Sequence, residues 1–281
     1  MRTEQEIRAD LDVRLNLRFE IADRVTDKAQ DVYDLKDNLP LTEERINART
    51  KWLAQEIVNK YPNAMPVLVN VLDGAQPFVS KLCSELDNLD YNYECTGIQA
   101  SSYGAGMTSG TVKVQTDFKA KMGNRLVIVC DEVADTGKTF GALRDILLDK
   151  GAKEVSFVVL VDKKQPRAKE EFNPTFSCFT IDHKEFIIGS GLDYLDGLMR
   201  NKHWVKKVDF ATLPTKEEQK LLDEINTLNS ELQQCIAEKK ATATLEKEAT
   251  YFSENGAVNS FFAYKSDTSG TAAQSANITC N

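Results

Sequence analysis

Between Arg125 and Leu148 the chain reads RLVIVCDEVADTGKTFGALRDILL, and this stretch restricts the possible folds more than any other. Leu126 to Cys130 is an unbroken apolar run rich in β-branched residues, the composition of a strand covered on both faces in a parallel sheet. Two carboxylates, Asp131 and Glu132, follow at once. A short turn, Asp135-Thr136-Gly137-Lys138-Thr139, then leads into Phe140, Leu143, Ile146 and Leu147 at helical spacing. The first amides of a helix have no partner within it and lie at the positive end of its dipole. A turn from a buried strand into a helix is therefore an anion site, with phosphate its usual guest.

An ordinary turn in which Asp135 or Thr136 caps the helix would explain one side chain and not the set. The nucleoside-triphosphate P-loop needs a glycine five residues ahead of its Gly-Lys-Thr, where this chain has Glu132. A carboxylate pair beside a phosphate turn suits a sugar phosphate instead. The carboxylates accept hydrogen bonds from ribose hydroxyls, directly or through a hydrated cation, while the amides hold the phosphate. In these residues the chain resembles the phosphoribosyl pyrophosphate (PRPP) motif of the type I phosphoribosyltransferases. Asp-Thr-Gly-Lys-Thr is most similar to the hypoxanthine-guanine (6-oxopurine) branch.

The 281 residues are enough to bury one substantial core. No apolar run is long enough to span a bilayer, and MRTEQEIRADLDVRL has no apolar signal core, which sets the expectation of a cytoplasmic protein. A net charge of −8 argues against broad binding to nucleic acid. Cys83, Cys95, Cys130, Cys178, Cys235 and Cys280 form no CxxC pair, and His183 and His203 no metal pair, so a structural zinc is not expected.

Residues 1–37 fit two patterns: alternation from Leu11 through Val13, Leu15, Leu17, Phe19 and Ile21 suggests a strand, and Ile21, Val25, Ala29 and Val32 suggest a helix face. The pattern does not choose between them. Thr42 caps an expected helix with Ile46, Leu53, Ile57 and Val58 on its apolar side, ending before Tyr61-Pro62. Val67 to Leu72 reads as a buried strand that breaks at Asp73-Gly74 before a helix carrying Phe78, Val79, Leu82 and Leu86. Tyr91–Ala100, Glu154–Val161 and Phe176–Ile181 are further strands. From Thr215 onward Leu221, Ile225, Leu228, Leu232 and Cys235 recur in steps of four and three, marking an amphipathic helix with a short coiled-coil-like seam.

The resemblance covers roughly residues 38–208. It implies an α/β, Rossmann-like phosphoribosyltransferase domain with a mainly parallel sheet flanked by helices and a small hood. An N-terminal extension (1–37), a helical extension (209–252) and a flexible tail (253–281) complete the expected organisation. The activity implied is purine salvage by transfer of a phosphoribosyl group from PRPP to hypoxanthine or guanine. The alternative is a regulatory nucleotide-binding module without turnover.

By resemblance, Asp135 is the general base, Thr136, Gly137, Lys138 and Thr139 hold the 5′-phosphate, and Asp131 and Glu132 hold the ribose hydroxyls. Gly74 contacts pyrophosphate, as does Arg200. Ser102 and Tyr103 belong to a mobile loop that closes over the ligands. Lys163 reads the purine 6-oxo group, Phe186 stacks on the base, and Ile187 offers backbone groups to its edge. Asp193, with Asp131 and Glu132, holds magnesium. The resemblance further implies PRPP and a purine base as partners, with neither nucleic acid nor membrane, and a homo-oligomer, dimer or tetramer.

Three positions depart from the family pattern. Asp73 stands where a basic residue is usual, Glu132 where the acid pair usually ends in Asp, and Arg200 is one residue farther from Asp193 than usual. Repulsion between Asp73 and pyrophosphate predicts weaker PRPP binding.

Overall fold

The computed structural model describes residues 2–102, 112–114, 122–194, 197–209 and 215–254. The chain divides into two compact units: residues 16–220, and a second made from the two ends, up to Leu15 and from Leu221.

The larger unit is built on a six-stranded sheet. In chain order the elements are α1 (Glu4–Lys28), β1 (Gln30–Asp31), α2 (Glu43–Lys60), β2 (Val67–Leu72), α3 (Gln76–Asp87), β3 (Glu94–Ser102) and β4 (Val112–Val114). They continue with β5 (Leu126–Ala134), α4 (Lys138–Asp149), β6 (Glu154–Lys164), β7 (Phe176–Asp182), β8 (Phe186–Ile188), β9 (Lys206–Val208) and α5 (Thr215–Glu254). The strand order is β4-β3-β2-β5-β6-β7, with β4 antiparallel at one edge and the other five parallel. This is the expected mainly parallel sheet flanked by helices. Its central strands are apolar without alternation because both faces are covered: Val67, Leu68, Val69, Val127, Ile128, Val129, Val158, Val159 and Leu160 are all fully buried. Phe140 of α4 stacks on Phe157 of β6 at 4.3 Å between ring centres.

The helices start and stop where side-chain chemistry directs. Thr42 accepts a hydrogen bond from Arg45 N at the head of α2, whose inward face is Ile46, Thr50, Leu53, Ala54 and Ile57. In α3 the buried face is Phe78, Val79, Leu82 and Leu86. The ambiguous N-terminal stretch is helical. Thr3 and Glu6 cap it reciprocally, Glu6 N donating to Thr3 Oγ1 (3.3 Å) and Thr3 N to Glu6 Oε2 (2.8 Å). Val13, Leu17 and Phe19, half of the apparent strand alternation, are exposed on α1.

A second, three-stranded antiparallel sheet in the order β1-β9-β8 forms the hood, so Gln30 and Asp31 pair with Lys207 and Lys206. In the smaller unit α1 and α5 run antiparallel. Ile7 packs with Leu228 and Leu232, and Arg2–Glu231, Arg14–Glu224 and Lys239–Glu4 ion pairs flank that seam.

β2 and β5 are neighbours in the sheet, yet β2 leads through α3 to β3 on one side and β5 leads through α4 to β6 on the other. The chain reverses its winding between them. A crevice opens beyond the carboxyl ends of strands at such a switch point, and open α/β sheets bind ligands there.

Candidate active site

Both sides of that crevice carry the residues singled out from the sequence. Asp131 and Glu132 lie near the end of β5. Asp131 is buried, at 7% exposure, and accepts Glu132 N at 3.0 Å. Burial, then the neighbouring Glu132 charge, pushes its carboxyl well above the usual carboxylate range. The turn that follows exposes Asp135, Thr136 and Lys138 and buries Gly137. Gly137 occupies the cap position of α4 with φ +77°, and no side chain caps the helix. Capping by Asp135 or Thr136 is thus not the arrangement adopted. The first amides of any helix have no partner within the helix itself.

From the opposite side, the Asp73-Gly74 turn at the end of β2 reaches Glu132. A β-carbon on Gly74 would collide with Glu132 Oε1, so a side chain there would push the Glu132 carboxylate out of its present position. The hood closes on the same place. Gly189 and Leu192 exchange backbone hydrogen bonds around a tight turn, and Gly191, at φ +100°, lies so close to Gly74 that a β-carbon would meet the Gly74 carbonyl oxygen. Three segments distant in sequence therefore meet at one point.

Arg200 and Asp193 complete that corner. Arg200 Nη1 donates to the Gly191 carbonyl at 3.1 Å, and Arg200 Nη2 pairs with Asp193 Oδ2 at 2.9 Å. Asp193 Oδ2 also accepts Gly197 N at 2.9 Å. The extra residue between Asp193 and Arg200 thus does not carry the arginine away from the glycine turns.

On the far side of the phosphate turn, Lys163 at the end of β6 places its Nζ 3.7 Å from Asp135 Oδ2, and its side chain is only 14% exposed. Gln165 donates to the other Asp135 oxygen. Phe186 is half-buried at the start of β8, opposite Val208. The Ile187 side chain is buried in the main core, which leaves its backbone, opposite Lys207, as the part that a ligand edge could use. Ser102 ends β3, and Tyr103 lies outside the described residues.

Two contributors were not legible in the sequence. The approach of Gly191 to Gly74 is purely tertiary. Arg167, in the loop after β6, has a side chain that is only 3% exposed. A proline directly before it, in a loop at the carboxyl end of a parallel strand, was the available signal.

With the geometry described, comparison with known proteins identifies the family. The phosphoribosyl transferase domain matches residues 41–195. The chain belongs to that family. A hypoxanthine-guanine phosphoribosyltransferase of Streptococcus thermophilus is 35% identical over 173 residues, covering 61% of this chain and 92% of the relative. The Aquifex aeolicus protein of the same name is 38% identical over 161 residues, 57% of this chain and 88% of the relative. Among solved structures, the hypoxanthine phosphoribosyltransferase of Trypanosoma cruzi, crystallised as a ternary substrates complex, superposes with a TM-score of 0.56 at 27% identity. It covers 66% of this chain and 98% of that one. The Staphylococcus aureus hypoxanthine phosphoribosyltransferase gives 0.57 at 25% identity, with 66% and 94% covered. Gly74, Glu132 and Gly191 meet at the switch point of this phosphoribosyltransferase-family domain.

Proposed function

We propose that this chain transfers the phosphoribosyl group of PRPP to a 6-oxopurine, hypoxanthine or guanine, releasing pyrophosphate and giving IMP or GMP in purine salvage. The observation that carries this reading is the convergence of Glu132, Gly74 and Gly191 beside a phosphate turn that is flanked by Lys163 and Asp135.

Thr136 to Thr139 hold the 5′-phosphate with backbone amides at the start of α4 and the Thr136 and Thr139 hydroxyls, which fixes the ribose relative to the base. Asp131 and Glu132 accept the ribose hydroxyls. The bond from the anomeric carbon to the pyrophosphate oxygen breaks first, its electron pair leaving with pyrophosphate. A purine nitrogen then donates the pair that forms the new glycosidic bond. Asp135 takes the proton held at N7, and Lys163 donates to the 6-oxo group, which an adenine amino group could not accept. Gly74 and Arg200 face the departing pyrophosphate. Phe186 stacks on the base and the Ile187 backbone meets its edge. Ser102 and Tyr103 close over the site and exclude water from the cationic sugar.

Magnesium fits the donor set: two carboxylates stand at one strand tip, one of them buried with its charged form disfavoured, and a divalent ion offsets that charge. Asp131 and Glu132 would hold it, with Asp193 on the hood side; no three such side chains are grouped together among the described residues, and when bound the ion would offset charge on pyrophosphate. No helix among the described residues is long and apolar enough to cross a membrane, and the five described cysteines are free thiols, in keeping with action in the cytoplasm. We propose a homodimer or homotetramer as the working form.

The test is to mix the purified chain with PRPP, magnesium and hypoxanthine, guanine, xanthine or adenine in turn, and to follow nucleotide and pyrophosphate. Product with hypoxanthine or guanine and none with adenine is expected. No product with any base would favour the regulatory, nucleotide-binding reading.

A further inference from the structure

We propose that Arg167 is a positioning residue that locks the phosphate turn and Lys163 into one rigid unit. The proposal deepens the function above and rests on it for the identity of the ligand.

The Arg167 guanidinium is withdrawn from solvent, and three of its five hydrogen bonds go to backbone carbonyls. Nε donates to the Asp135 carbonyl at 3.0 Å, and Nη2 to the carbonyls of Ala134 at 3.1 Å and Lys163 at 3.2 Å. Nη1 donates to Asn173 Oδ1 at 2.8 Å, and Asp162 balances the charge. In a trans peptide the carbonyl and the following N–H point in opposite directions. Holding the carbonyls of Ala134 and Asp135 on Arg167 therefore turns the N–H groups of Asp135 and Thr136 away from it. Thr136 N–H opens the set of amides assigned to the 5′-phosphate.

The arginine stem also sets the floor of the turn. A β-carbon at Gly137 would lie 3.0 Å from Arg167 Cδ and 2.9 Å from Phe172 Cβ, and one at Gly141 would lie 2.7 Å from Phe172 Cζ. Turn and loop are thus in contact with no room for a side chain between them. Because the same guanidinium holds Lys163 O, it fixes the two side chains assigned to the purine, Lys163 and Asp135, against each other. A lysine could not replace it, since one ammonium cannot reach carbonyls of three residues in a planar fork.

The experiment compares full-length wild type with Arg167→Lys, Arg167→Ala and, as a control on α4, Arg144→Ala, whose guanidinium reaches Glu171 of the Arg167 loop at 3.6 Å and no other acid among the described ion pairs. Melting temperature, ribose 5-phosphate affinity by calorimetry, and kcat and KM are measured for each. Arg167→Lys is expected to remain folded at the assay temperature, to bind ribose 5-phosphate about tenfold more weakly, and to lose about 100-fold in kcat. Arg144→Ala should match wild type. Wild-type affinity and kcat in Arg167→Lys, or losses in Arg167→Ala that follow only its unfolded fraction, would overturn the proposal; if the alanine variant does not fold, the lysine variant decides. Wild type that binds ribose 5-phosphate without forming nucleotide refutes the activity alone and leaves the affinities to decide this inference. Wild type that does not bind it refutes both.

Discussion

Asp34 and Asp131 are both withdrawn from solvent, at 0% and 7% exposure, and the chain surrounds them in opposite ways. Asp34 Oδ1 accepts the N–H groups of Thr180 at 3.0 Å and Lys36 at 3.3 Å, while Oδ2 accepts Arg49 at 3.3 Å. Leu35 N donates to Thr180 O at 2.7 Å beside it, so the segment before α2 is fastened to the edge strand β7. Asp131 has the N–H of Glu132, but among the described residues no lysine, arginine or histidine pairs with it, and its nearest charged neighbour is another acid. A buried charge that is fully answered holds a fold together. One that is not destabilises the fold, and the rigid sheet around it keeps it available for a ligand.

Three substitutions would break or sharpen this contrast. The largest expected effect lies at the functional end, one turn beyond Asp131. Asp135→Asn keeps the shape and removes the proton acceptor, so kcat should fall by about 10²- to 10⁴-fold with little change in PRPP affinity or melting temperature. Steady-state kinetics alongside PRPP binding would check it, and equal losses in both would mean the base is misassigned.

Asp34→Ala should act in the opposite sense. It takes the acceptor from the Thr180 and Lys36 amides and leaves Arg49 with Asp37 alone, at 3.8 Å, with an expected loss of about 1–3 kcal/mol in denaturant unfolding. Activity per folded molecule should be nearly unchanged. A stable Asp34→Ala protein would remove the fastening role.

Asp131→Asn is expected to give the smallest effect of the three, a gain in stability. The Asp131 carboxyl sits above its ordinary value in the folded chain, so the folded state holds its proton more tightly than the unfolded state does. Its contribution is then most favourable below about pH 4 and is lost as pH rises through the folded value. The asparagine variant escapes that loss. Thermal melts should show its advantage over wild type widening from about pH 4 toward neutrality, while KM for PRPP rises. An advantage that shrank with rising pH would contradict the electrostatic account of the strand tip.

The strand tip was legible from sequence because its information is local. An apolar run, two acids, a hydroxyl-bearing turn and a helical period follow one another within residues 125–148, and the sheet needs only to orient them. Lys163 and Phe186 are singled out by the family resemblance alone; the first lies near the end of β6 and the second opens β8. Asp34 carried no such signal: Thr180 lies far away in sequence, and only the docking of the segment on β7 brings them together. The same holds for Gly191 against Gly74 and for Arg167 under the turn.

At the N-terminus the difficulty was different. Period two and period 3.6 both fitted residues 11–32, and the deciding signal, the Thr3-Glu6 capping box, lay ahead of the apolar positions being weighed. The exposure of Val13, Leu17 and Phe19 shows that the strand-like alternation described no buried face.

A crystal of this chain grown with ribose 5-phosphate and magnesium is the most direct trial of the central claim. The account predicts phosphate against the amides of Thr136 to Thr139, with ribose hydroxyls on Asp131 and Glu132 and the anomeric carbon toward Gly74. Sugar phosphate bound elsewhere, with Arg167 and the turn unchanged and that crevice filled by side chains, would contradict it.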